Sequence, residues 1–207
     1  MRDRLLERYE SRTELLRLLA ANLERETRGA LEGVPHVDRV YYRVKGTKSF
    51  AEKAQDPKNN PPYEDPLVEI EDQVAGRVLV FFLGDIPLVL AELSRNFTQV
   101  ESARRKPEKD EEFGYESHHL ICMIPPQAKP EEWSNLTDLP TTFELQVRTL
   151  FMHAWAEPQH DLEYKTSHDL PPEIRKELFW VAASSWGADQ AFERIVQWQK
   201  TKPRRSH

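Results

Sequence analysis

One stretch constrains the fold of this chain more than any other: Phe143-Glu144-Leu145-Gln146-Val147-Arg148-Thr149. Apolar and polar residues alternate with the period of a half-buried strand. Phe143, Leu145 and Val147 are expected to face a core, with Glu144, Gln146 and Arg148 in a row on the opposite face. Taken alone, the pattern suits an edge strand with a solvated polar side. A carboxylate, an amide and a guanidinium in one row can also hold a metal, a ribose and a phosphate. Other segments of the chain decide between the two.

At 207 residues the chain fits one domain with helical extensions, or at most two small ones. Hydrophobic residues reach 39%, enough for a core, and the charged fraction of 31% is mixed in sign, which argues against wholesale disorder. A net charge of −6 provides no global field for nucleic acid, so any anion site must be local. The single cysteine, Cys122, excludes an intramolecular disulfide and a cysteine-rich zinc site, and fits a reducing compartment. The charged N-terminus lacks the apolar stretch of a signal peptide, and the run Val78 to Leu83 is too short to cross a bilayer. A soluble cytoplasmic protein with no membrane partner is expected.

Residues 2–32 place Leu5, Tyr9, Leu16, Leu19 and Leu23 at helical spacing, predicting an amphipathic helix or helix pair. Strands are expected at 40–45, 77–83, 97–103, 118–124 and 142–148. Helices are expected at 47–55, 85–96 (with Asp85 as N-cap), 149–162 and 171–199. Two proline-rich stretches, 56–66 and 125–140, read as loops, and 104–113 as a charged loop. The interleaving predicts an α+β fold: a mixed sheet flanked by helices, as one domain over 1–207 with its core at about 40–165.

Four groups of residues suggest chemistry. Arg43, Lys45, Ser49 and Lys53 surround a strand-to-helix turn, where cations, a hydroxyl and a helix N-terminus suit polyphosphate. It is no Walker loop, since only Gly46 is present. Asp72, five residues before Arg77, opens the most apolar strand and could share Mg²⁺ with the distant Glu144. In Gly114-Tyr115-Glu116-Ser117-His118-His119, Tyr115 would suit stacking on a base. His153, Glu157 and His160 share a helix face, yet Pro158 and the spacing argue against a zinc site. The pair His160-Asp161 has no partners for a hydrolase centre. Each group alone reads more simply as a surface charge cluster, a turn acid or a core tyrosine.

Taken in order, the segments resemble the synthetase domain of the RelA/SpoT family from about Tyr42 to Lys165. The resemblance rests on Arg43-x-Lys45-x3-Ser49-x3-Lys53, Asp72-x4-Arg77, Gly114-Tyr115-x-Ser117-x-His119 and Glu144-x-Gln146-x-Arg148-Thr149. His153-Ala154-Trp155-Ala156-Glu157, His160 and Tyr164-Lys165 extend it. It implies a nucleotidyltransferase-like sheet and transfer of the β,γ-pyrophosphate of ATP to a ribose 3′-hydroxyl. Arg43 and Arg77 would sandwich adenine, while Lys45, Ser49 and Lys53 hold the phosphates. Asp72 and Glu144 would bind Mg²⁺, with Glu144 helping to deprotonate the 3′-hydroxyl. Tyr115 would stack on the acceptor base, and His119, Gln146, Arg148 and His153 would complete that pocket. The chain is expected to be a small single-domain alarmone synthetase or a toxin relative.

It departs from the family twice. Glu111 and Phe113 stand where a basic residue and an asparagine usually precede the Gly-Tyr pair, although Lys106 and Lys109 are near enough to substitute. The glycine usually found at the place of Ala75 comes one position later, at Gly76. The resemblance leaves several acceptors open: GDP or GTP, an adenine nucleotide, or the 3′ CCA end of tRNA. The acids Asp110-Glu111-Glu112 and the basic patches Arg104-Arg105-Lys106 and Lys200 to Arg205 bear on that choice. A catalytically idle nucleotide-binding module is the reading from another class. A homo-oligomer through the terminal helices and a cognate antitoxin are the protein partners it suggests.

Overall fold

The computed structural model describes residues 2–57, 61–105, 117–165 and 171–202. Helices α1 (Arg2–Glu10) and α2 (Thr13–Ala30) open the chain, followed by strand β1 (Val37–Val44), α3 (Thr47–Ala54) and the single turn α4 (Pro66–Glu69). Then come β2 (Val74–Val80), α5 (Ile86–Asn96), β3 (Gln99–Arg105), β4 (Ser117–Met123) and β5 (Thr142–Thr149). Two long helices close the chain, α6 (Leu150–Lys165) and α7 (Pro172–Lys200). The first proline-rich loop runs into the turn α4, and the second holds short helical turns at residues 126–128 and 131–135.

The strands form one mixed sheet in the order β1-β2-β5-β4-β3, as the α+β expectation requires. Only β2 and β5 run parallel; every other neighbouring pair is antiparallel. The position of β5 corrects the edge-strand reading. It lies at the centre of the sheet, and Glu144 and Gln146 are buried like the apolar residues between them. Its polar side faces a protein-lined site.

The alternation holds across the sheet. One face carries Val40, Val74, Val78, Leu120, Cys122, Phe143, Leu145 and Val147. Against it α2 buries Leu16, Leu19, Ala20, Leu23 and Thr27, and α5 buries Ile86, Val89 and Leu93. Those spacings put each set on one helix stripe. Helix α2 also reaches the sheet through a hydroxyl pair, Thr27 Oγ1 and Tyr42 Oη, 2.7 Å apart.

Two local expectations are corrected. The second strand spans Val74–Val80, not 77–83. Phe81 is 40% exposed, and its ring packs beside those of His36 and Phe82. Phe82 in turn meets Phe192 of α7, so this apolar run leaves the sheet to dock a helix. Asp85 precedes α5 but its side chain makes no cap bond; one oxygen accepts from Phe82 N at 3.2 Å and the other faces His36 Nδ1 at 3.1 Å.

The displaced glycine has a packing reason. Gly76 lies on the core face, and a Cβ there would fall 2.4 Å from Tyr42 Cζ and 2.7 Å from Leu145 Cδ1. Ala75 lies on the other face, in register with Arg43 and Glu144. Among the described residues no helix is long and apolar enough to cross a membrane.

Candidate active site

The second face of the sheet gathers most of the polar residues singled out above. β1 contributes Tyr41 and Arg43, β2 Arg77, β5 Glu144, Gln146 and Arg148, and β4 Ser117 and His119. Register makes them neighbours: Tyr41 pairs Arg77, Arg77 pairs Gln146, and Gln146 pairs His119. Residues of like parity on paired strands share a face, so four strands build one polar row.

From Tyr41 to Ser117 the row is hydrogen-bonded continuously, whereas Arg148 Nε is buried with no hydrogen-bond partner. Arg77 Nη1 donates to Tyr41 Oη at 3.0 Å, and Arg77 Nε to Gln146 Oε1 at 3.4 Å. Gln146 Nε2 donates to Glu144 Oε2 at 3.0 Å. The other carboxylate oxygen of Glu144 lies 2.5 Å from His119 Nδ1, and His119 Nε2 lies 2.7 Å from Ser117 Oγ. Glu144, Gln146, His119, Ser117 and Arg77 are all buried. Burial of so many polar groups is tolerable only because each has partners.

A second cluster forms at the end of β1 and the start of β2. Lys45 Nζ lies 2.7 Å from Asp72 Oδ2, and Lys53 Nζ lies 3.0 Å from Asp72 Oδ1. Three local supports hold it. Tyr9 Oη donates to Lys45 O at 2.7 Å, and its ring stacks on Phe50 of α3 with centroids 3.9 Å apart. Lys45 N donates to Gln73 O at 2.8 Å. The buried Gln73 amide donates to Leu67 O and Ile70 O, both at 2.9 Å, fixing the turn that carries Asp72. Ser49 is exposed on α3 and Arg43 is exposed on β1.

Electrostatics joins the clusters. Burial raises the Asp72 carboxyl, but Lys45 and Lys53 outweigh it and hold the group below its ordinary value. Burial also raises Glu144, and the hydrogen bond and charge of His119 overcome it, while the Asp72 charge pushes back upward; Glu144 pairs with Ala75, three residues after Asp72. Both are therefore ionised at neutral pH. Asp72 and Glu144 offer two carboxylates on this face, the number Mg²⁺ takes when substrate phosphates complete its shell, although among the described residues no group of three or more acid, histidine or cysteine side chains is arranged for a metal ion. The donor set fits the ion.

Helix α6 closes one side of the row. Glu157 Oε1 lies 2.5 Å from Arg77 Nη1 and 4.0 Å from Arg148 Nη1. Burial and then the positive charge of Arg77 push Arg148 down to about 10. His153, one turn before Glu157, is held below its ordinary value mainly by burial, and its ring meets Tyr41 edge-on at 6.2 Å. The helix starts at a capped end: Thr149 Oγ1 accepts from Met152 N at 3.1 Å and donates to Asp189 Oδ2 of α7 at 2.6 Å. Pro158 lies inside α6.

The structure thus brings Lys45, Lys53, Asp72, Arg77, His119, Glu144, Gln146, Arg148 and His153 to one face, with Arg43 and Ser49 at its exposed margin. Tyr115, together with Lys106, Lys109, Asp110, Glu111, Glu112, Phe113 and Gly114, lies outside the described residues, as do the side chains of His160, Asp161, Tyr164 and Lys165. Sequence reading passed over Tyr41 and the ion-pair role of Glu157. Tyr41 had a local signal, since it stands two residues before Arg43 on the same strand. Glu157 had none, because its partner Arg77 is eighty residues away.

Comparison with known proteins places this geometry. The model of the "Region found in RelA / SpoT proteins" matches residues 42–169. The chain is 32% identical over 162 residues to the GTP pyrophosphokinase YjbM of Bacillus subtilis (strain 168), covering 77% of this chain and 72% of that protein. The fold superposes on the small alarmone synthetase 1 from Bacillus subtilis with a TM-score of 0.77 at 24% identity, covering 95% of this chain and 100% of the other. The same synthetase bound to its product pppGpp gives a TM-score of 0.75 at 24% identity, again covering 95% and 100%. By the extent of the domain match and by this degree of identity, the chain belongs to the RelA/SpoT family.

Proposed function

We propose that this chain is a cytoplasmic, Mg²⁺-dependent pyrophosphokinase that moves the β,γ-pyrophosphate of ATP onto the ribose 3′-hydroxyl of GDP or GTP. The products are ppGpp or pppGpp, and AMP. The observation that carries the reading is the pairing of Asp72 with two lysines beside the ionised Glu144. Lys45 and Lys53, with Ser49, form the grip for the ATP phosphates, and Arg43 and Arg77 take the adenine between them. Asp72 and Glu144 hold Mg²⁺, which supplies charge neutralisation to the transferred phosphates. His119 and Gln146 occupy one oxygen each of Glu144 and so orient it. Glu144 accepts the proton of the 3′-hydroxyl as that oxygen bonds the β-phosphorus and AMP departs. Tyr115, His119, Gln146, Arg148 and His153 form the acceptor pocket. Such transfer depends on positioning and charge more than on covalent chemistry, which suits a preorganised polar row.

The test is transfer from γ-labelled ATP with Mg²⁺, in parallel reactions containing GDP, GTP, an adenine nucleotide or deacylated tRNA. Label on GDP or GTP is expected. Label on tRNA alone would replace the reading with a translation-blocking toxin, and nucleotide binding without AMP release would replace it with an idle module. Glu144→Gln is expected to abolish transfer while leaving ATP binding largely intact; retained turnover would remove Glu144 from the reaction.

A further inference from the structure

We propose that Glu157 is a positioning residue for the nucleotide: it holds the Arg77 guanidinium by its edge and so sets the plane on which adenine would stack. The inference rests on the adenine-stacking role given to Arg77 above. It starts from a property of the side chain. A guanidinium donates its hydrogen bonds in its own plane, so partners along its edges set the direction in which its faces point. Arg77 has three such partners from three different elements. Nη1 reaches Tyr41 Oη on β1 at 3.0 Å and Glu157 Oε1 on α6 at 2.5 Å, and Nε reaches Gln146 Oε1 on β5 at 3.4 Å.

Tyr41 and Gln146 are neutral, so Glu157 supplies the only charged acceptor among these three. It also has a second duty. Arg148 Nη1 lies 4.0 Å from the same Glu157 oxygen, so one carboxylate stands between two buried cations that repel each other. Without its charge, that repulsion would turn Arg77 off its present axis. Glu157 is itself 40% accessible, and an ion pair with so exposed a partner contributes little to stability. Its consequence is therefore orientation of a neighbour, and the nucleotide base is what would feel that orientation. The triphosphate would not, because its grip belongs to Lys45, Ser49 and Lys53 on the other cluster.

Calorimetric titration of wild type and Glu157→Gln with ATP and with inorganic tripolyphosphate, both with Mg²⁺ and without acceptor, separates the possibilities. Glu157→Gln is expected to weaken ATP binding about tenfold, the size of a lost cation–π contact, while tripolyphosphate binds within about twofold of wild type. ATP affinity unchanged in the variant would overturn the inference and leave the function above standing. Equal loss for both ligands, in Glu157→Gln and in the milder Glu157→Asp, would overturn it as well, since that is the mark of a structural role. A wild-type protein that binds ATP no better than tripolyphosphate would remove adenine stacking by Arg77, and this inference with it.

Discussion

Asp189→Asn is expected to make the protein more stable at neutral pH, with a gain that disappears in acid. Asp189 lies on α7, only 1% exposed, and its Oδ2 accepts from Thr149 Oγ1 while its Oδ1 is buried with no partner. Burial raises its pKa from 3.8 to about 6, partly offset by the Thr149 hydrogen bond. The folded carboxyl thus holds its proton more tightly than the unfolded one. Its contribution to stability is complete below pH 3.8 and is lost as the pH rises through about 6. The difference corresponds to at most about 3 kcal/mol. Asparagine keeps an oxygen for Thr149 and cannot ionise, so it retains the low-pH state at every pH. Urea unfolding of both proteins from pH 3.5 to 8 gives the difference directly, because every other group titrates alike in the two. Near pH 3.5 they should agree within about 0.5 kcal/mol, and above pH 7 the variant should lead by about 1–3 kcal/mol. A variant less stable at pH 8, or a difference constant across the range, would refute the reasoning.

Two further outcomes follow from packing. Gly76→Ala would place a methyl 2.4 Å from the Tyr42 ring and threaten its 2.7 Å pairing with Thr27, so a loss of about 1–3 kcal/mol in urea unfolding is expected; a change below about 0.5 kcal/mol would contradict the packing. Along α7, Trp180 is 68% exposed and Trp198 59% exposed, an apolar surface that supports self-association through the terminal helix. Light scattering should give a mass above one chain that falls on Trp180→Asp with Trp198→Asp, and a monomeric wild type would end that reading.

Much of the fold was legible because core burial leaves local periodicity. The stripe of Leu16, Leu19 and Leu23 marked α2, and the alternation from Phe143 to Arg148 marked β5 with the correct residues on each face. Boundaries were less legible where apolar residues serve something other than a strand. Phe81 and Phe82 extend the hydrophobic run of β2, yet they pack among His36 and Phe192, so hydrophobicity misplaced the strand by three residues. Asp85 stands where a cap residue belongs, but His36 and Phe82 N already claim its oxygens.

The sequence by itself determined which residues share a strand face or a helix turn, and the order of the motifs that mark the family. These are properties of the chain over a few residues, set by the repeat of strand and helix. Only the tertiary structure decided that β5 is central, that Asp72 sits between Lys45 and Lys53, and that Glu157 meets Arg77. Those facts depend on which strands pair and where the helices dock. A periodicity repeats the same signal whatever lies across from it, so the partner of a polar side chain is fixed by packing between distant segments.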